Sequence, residues 1–157
     1  MTYKVYGSLQ SVLFKPVGSL TVQDFDILFF DSQMVFCHMG NSTFLSAMLG
    51  NLFLGVAGSV GAAGAANTQQ DIMRNEISGF APSEICALSD MNISLPYDLI
   101  ESIEISTGFF ATLGLLSPMW IKCEGKKYFV NVPRKQALEM PLWLSGADEI
   151  FPRIIFH

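Results

Sequence analysis

From Ser32 to Gln70 the chain carries no Asp, Glu, Lys or Arg, and its centre, Phe44 to Ala66, is apolar or small at nearly every position. About 20 such residues suffice to cross a bilayer. Yet the stretch sits in the middle of a chain of 157 residues, a length that makes one domain with a core of its own. A bare apolar helix in water would expose a patch larger than monomers tolerate. The segment must therefore be buried in its own domain, against another copy, or in a membrane.

Its two halves differ. Phe44, Met48, Leu49, Leu52, Phe53 and Val56 make a bulky first half, whereas Gly58, Gly61, Ala62 and Ala65 lie in a second half of small residues. Small residues three and four apart let helix backbones approach closely. Glycine costs about 1 kcal/mol against Ala in a solvated helix, so a helix with this many glycines is expected to pack tightly. These ten residues are the expected contacts for self-association or for a membrane. A break near Gly55–Gly58 would fold the segment as a helical hairpin. Ile72, Met73 and Ile77 continue an amphipathic helix to Ser78-Gly79, so the insert runs over about 43–78.

The remaining composition excludes several classes. Half the residues are hydrophobic and the net charge is −5, which leaves no basic footprint for nucleic acid. Cys37, Cys86 and Cys123 are odd in number and widely spaced, neither a disulfide framework nor a metal set. Reduced thiols and a cytoplasmic location are expected. The first residues lack a signal peptide's basic start and apolar run, so the sequons at Asn41 and Asn92 are not expected to be used.

Two aromatic and β-branched runs, Asp26–Phe30 and Met34–Met39, flank Asp31-Ser32-Gln33 and predict a hairpin. Leu20 and Val22 alternate with polar neighbours as in a further strand. Tyr3–Phe14 fits either a short helix or a strand. Ser83 with Glu84 can start a short helix carrying Ile85 and Leu88. Leu95–Ile105 is strongly patterned, with Ile103 and Ile105 on one face and Ser102 and Glu104 on the other, and reads as a half-buried strand. Met119–Cys123 and Lys127–Val132, joined at Glu124-Gly125-Lys126, predict a second hairpin. Pro133 opens a helix over Arg134–Ser145 that carries Ala137, Leu138, Leu142 and Trp143, with a kink at Pro141. The apolar tail Ile150–His157 should dock on the domain.

This order resembles the pleckstrin-homology-like superfold, nearest to GRAM-type and bacterial PH-like domains. The resemblance rests on the hairpin at Ile27–Met39, on Leu95-Pro96-Tyr97 followed by Ile100, Ile103 and Ile105, on the hairpin turning at Glu124-Gly125-Lys126, and on the closing helix Arg134–Ser145. It covers about two thirds of the chain and excludes the apolar insert. The arginine such domains carry after the first hairpin turn is absent from Asp31–Phe36. The resemblance implies an α+β fold: a PH-like antiparallel barrel or sandwich with a C-terminal helix and an inserted apolar helix or helical hairpin, all one domain over 1–157. Strands on both sides of the insert would then share a compartment, which excludes a single membrane crossing. The nearest basic residues to the insert, Lys15 and Arg74, give no close anchor or charge asymmetry.

Lys122, Lys126, Lys127, Arg134 and Lys135 hold most of the basic charge. They form either a contact for anionic headgroups or an acidic partner, or a solvated turn. Adjacent strand residues point to opposite faces, so Cys37 and His38 read as a core cysteine and an edge histidine, not a catalytic pair. Asp148-Glu149 follows Gly146 without a visible partner. No Ser/His/Asp set, phosphate loop or metal motif stands out. The expectation is therefore a non-enzymatic module without cofactor that self-associates through its insert, as a scaffold or polymer subunit. The alternative is a peripheral membrane adaptor whose insert enters one leaflet while the basic hairpin faces anionic lipid.

Overall fold

The computed structural model describes residues 3–41, 69–108 and 114–157, with the Asn41 side chain left aside. Eight strands form one sheet: β1 Val5–Phe14, β2 Gln23–Phe30, β3 Gln33–Asn41, β4 Ile93–Pro96, β5 Ile100–Ile105, β6 Leu116–Cys123, β7 Lys126–Pro133 and β8 Ile154–Phe156. Their order is β4-β3-β2-β1-β7-β6-β5-β8. All neighbours are antiparallel except β5 and β8. Helix α1, described over 69–77, and helix α2, Pro82–Ala87, lie between β3 and β4, and α3, Arg134–Leu144, follows β7. The class is α+β.

Strand β1 joins the two halves of the sheet. It pairs with β2 along its length and with β7 at Leu13 and Phe14. Between Leu9 and Val12 its register against β2 slips, and Ser11 takes a φ of 54°. This bulge bends the strand and frees backbone groups that need other partners. Side chains supply them. Asp26 Oδ1 accepts from the Ser11 N–H at 2.9 Å. The Gln136 amide accepts from the Gln10 N–H at 2.6 Å and donates to the Gln10 carbonyl at 3.0 Å, which fixes α3 against the bulge. The helix continues through Pro141 and buries Ala137, Met140 and Leu144. Leu138 and Leu142 of the same helix are exposed. The buried set is the one spaced three and four apart.

The span Leu95–Ile105 is two strands, not one. β4 pairs with β3 at one end of the sheet, β5 lies near the other, and a single 3₁₀ turn, Tyr97–Leu99, links them. Three residues reach only about 10 Å, so the sheet must curl to bring these strands together. Tyr97 holds the corner: its hydroxyl donates to the Phe30 carbonyl at 2.8 Å and its N–H to the Ser32 carbonyl at 3.0 Å. Burial raises its pKa. Inside the curl lies the main core, built from both halves, from α3 and from Ile150. The tail docks as expected, with β8 beside β5 and Arg153 donating to the Ile100 carbonyl. Leu20 and Val22 belong to a loop, with Leu20 bare, because β2 starts only at Gln23.

A second core lies on the outer face of β2 and β3. Phe30, Val35, Cys37 and Met39 meet Ile77 of α1 and Ile85 of α2. Strand β2 is thus covered on both sides, and Asp24, Phe25, Asp26 and Ile27 are all buried. Arg74 bolts α1 to this face. Its guanidinium takes Asp26 with both arms, at 2.7 and 3.0 Å, and donates to Ser11 Oγ at 3.3 Å. Gln70 adds a bond to Asp24 Oδ2 at 3.1 Å. Beneath the helix, burial and the nearby Asp26 carboxylate push the Cys37 thiol up to about 11. Its neighbour His38 lies past the end of β4, where its N–H donates to Asn92 Oδ1 at 2.7 Å in place of a strand partner; it is half-buried, with its ring tilted against Phe25 at a centroid distance of 5.2 Å.

Three outcomes follow from these contacts. A Cβ added at Gly7 would meet the Trp143 ring at 2.5 Å, so Gly7→Ala should cost about 1–3 kcal/mol, read as a lower urea midpoint. Arg74→Ala leaves the Asp26 carboxylate buried without its cation and should cost about 3 kcal/mol. Thiol-reagent labelling of Cys37 should accelerate in that variant as α1 lifts. Burial lowers the His38 pKa, opposed by Asp24. The unfolded chain therefore binds a proton where the folded one stays neutral, and His38's contribution is lost as pH falls. Wild type should lose stability relative to His38→Phe as pH falls through and below the ordinary imidazole range.

Candidate functional site

The 15–22 loop leaves β1 at Phe14, and the β6–β7 turn arrives beside it, because Phe14 pairs with Val130. The approach to β4, Asp90 to Ile93, closes the third side. Between them is a cleft of about 1040 Å³ lined by Phe14, Lys15, Met91, Lys126, Tyr128 and Phe129, among others. Its floor is aromatic, with Phe14 in edge contact with Phe25 and Phe36. Lys15, Lys126 and Lys127 line it, together with one carboxylate, Asp90. Val17 and Leu20 stand fully in solvent on the loop, at 102% and 94% exposure. Two bonds brace the hairpin turn: the Gly125 N–H donates to Glu101 Oε1 and the Glu124 N–H to the Leu99 carbonyl. Glu124 and Gly125 both have positive φ there.

Both described flanks of the apolar segment lie at this same end. Asn41 pairs with Gln23, the first residue of β2, and Gln70 of α1 bonds Asp24 beside it. Asn41 and Gln70, on either side of residues 42–68, thus both lie at the foot of the 15–22 loop. Flanks that meet at one point are incompatible with a single crossing that places them on opposite sides of a bilayer. No helix among the described residues is long and apolar enough to cross a membrane. Phe44, Met48, Leu49, Leu52, Phe53, Val56, Gly58, Gly61, Ala62 and Ala65, the expected association contacts, lie outside the described residues.

The five basic residues expected to act together are separated. Lys126 and Lys127 lie at the hairpin end of β7, while Arg134 and Lys135 start α3 beyond its other end. Eight strand residues span about 26 Å. Lys122 sits across from Lys127 but is engaged by Glu101, whose pKa is lowered by that contact and by the Gly125 N–H. Arg134 turns to the Thr107 carbonyl at 3.3 Å. In their place the fold recruits Lys15, which is remote in sequence. Phe129 and Met91 also reach the cleft without a local motif to mark them. The nearest sequence signal is Lys15-Pro16-Val17-Gly18, a turn with a cation and a bare aliphatic residue.

The cleft offers ammonium groups above an aromatic floor. No group of three or more His, Cys, Asp or Glu side chains fit to hold a metal ion occurs among the described residues. No protein-family model and no curated protein matches the chain. Among solved structures it is similar to the crystal structure of the C-terminal domain of an unknown protein from Leishmania infantum, with 12% identity and a TM-score of 0.43 over 90% of this chain and 85% of that one. A likeness of that size carries no argument about function.

Proposed function

We propose that the chain is a non-enzymatic interaction module of pleckstrin-homology-like design that docks on anionic membrane as a peripheral adaptor. The order of a hairpin, the Leu95-Pro96-Tyr97 corner, a second hairpin and a closing helix supports the PH-like part. One observation carries the docking part. The bare Val17 and Leu20, the lysines Lys15, Lys126 and Lys127, and both flanks of the uncharged segment share one end of the molecule.

The magnitudes favour a reversible contact. Burying Val17 and Leu20 among acyl chains contributes about 1.5–3 kcal/mol each, and each lysine near an anionic surface about 1 kcal/mol. Loss of translational freedom, Asp90 and the net charge of −5 oppose them. The loop and lysines alone therefore hold the protein weakly, and an apolar segment entering the same leaflet would add the rest.

Flotation of the intact chain with phosphatidylcholine vesicles, with and without phosphatidylserine, tests this reading. Wild type should rise only with the anionic vesicles. Val17→Ser with Leu20→Ser, and separately Lys15→Glu with Lys126→Glu, should each cut the floated fraction several-fold while leaving the urea midpoint unchanged. Wild type that stays at the bottom with both vesicle types would overturn the proposal. The self-association expected from the small-residue half would instead show as fast sedimentation without lipid, abolished by Gly61→Glu.

A further inference from the structure

Among the described residues, the two halves of the sheet are covered unequally. Helices α1 and α2 lie over the outer face of β2 and β3. The outer face of β5, β6 and β7 carries a cross-strand row, Glu104 beside Trp120 beside Phe129, extended by Ile155 of β8. Trp120, Phe129 and Ile155 are 40%, 48% and 46% exposed, and the first two rings pack with centroids 5.5 Å apart. The neighbouring row holds Ser102, Lys122 and Lys127, and a groove of about 410 Å³ runs along Glu104, Trp120, Lys122 and Lys127. Burying such large apolar side chains gains free energy only against another surface.

The charges indicate which surface. Lys122 is used internally by Glu101. Among the described residues, the one ion-pair partner of Glu104 is His157 Nε2 at 3.9 Å, and Lys127 is in no ion pair. The face therefore presents a carboxylate on β5, an indole on β6 and an ammonium on β7. A two-fold axis along β6 sets each β5 over the other copy's β7, two strand spacings of about 4.8 Å from its own. Trp120 then meets Trp120, and each Glu104 comes within side-chain reach of the other copy's Lys127. Such a surface is self-complementary, as an isologous contact requires.

We infer that the outer face of β5, β6 and β7 pairs two copies of this chain face to face, with Trp120 at the centre and Glu104 one row along the strand from the other copy's Lys127, within reach of its long side chain. The area is small, so the dimer is a weak one. This face borders the lipid-docking end at Lys127 and Phe129, which line the cleft as well, while Glu104 and Trp120 lie outside that cleft.

Sedimentation velocity of the intact chain in lipid-free buffer, over roughly a hundredfold concentration range, reads the association directly. Wild type should dimerise reversibly. Trp120→Ser should weaken the dimer by about tenfold or more, as central aromatic anchors do. Glu104→Lys and Lys127→Glu alone should each weaken it, and the two together in one chain should restore it. Association through the insert would be indifferent to this charge exchange. A chain that stays monomeric, or association unchanged in Trp120→Ser and in both single charge variants, overturns the inference. So does a Trp120→Ser variant that loses vesicle flotation while associating like wild type, since that face would then meet lipid.

Discussion

One carboxylate holds the two halves of this fold to their purpose. Asp26, 2% exposed, accepts from the Ser11 N–H at the bulge of β1 and from both arms of Arg74 on α1. The first contact lets β1 bend, and beyond the bend Leu13 and Phe14 pair with β7 as well as with β2. The second pins the end of the apolar insert to the outer face of the sheet. A buried charge left without such partners is costly, so strand curvature, helix docking and the insert's point of return are coupled through one side chain. The free amide of Gln10 is met in the same way by Gln136, which couples α3 to the same bulge.

The surfaces available for function follow from that curl. Bending the sheet gathers the 15–22 loop, the β6–β7 turn and the flanks of the insert at one end. It also divides the outer surface. One half must be roofed by α1 and α2, because Phe30, Val35 and Met39 point outward there. Among the described residues, no helix lies over the other half, and an aromatic pair there is exposed. The proposed lipid-docking end and the open face adjoin at Lys127 and Phe129, whereas Val17 and Leu20 on one side and Glu104 and Trp120 on the other belong to one surface each.

The parts legible in the sequence were those whose hydrophobic period is unbroken. Both hairpins could be read because alternation runs to a polar turn, and Gly125 marks the second turn with its positive φ. Strand β1 was ambiguous because its bulges interrupt the period at Gly7 and at Gln10-Ser11. Leu95–Ile105 read as one strand because its apolar period passes straight through a corner. Only the Pro96-Tyr97-Asp98 turn, with a tyrosine hydroxyl buried on a distant carbonyl, betrays it. The cleft was least visible, since Lys15, Met91 and Lys126 become neighbours only through the closure of the sheet. Asp26, flanked by Phe25 and Ile27 in a strand, was the available clue that a buried cation lay elsewhere, and Arg74 was the basic residue of the insert.

The central claim is that the end carrying the 15–22 loop and the β6–β7 turn is the face that meets lipid. Hydrogen–deuterium exchange of the intact chain, compared with anionic vesicles, neutral vesicles and no lipid, tests it most directly. The account expects slowed exchange of amides in 17–22 and 124–129, with anionic vesicles alone, and unchanged exchange in α3. Unchanged exchange at both of those segments, with protection on α3 instead, would contradict it.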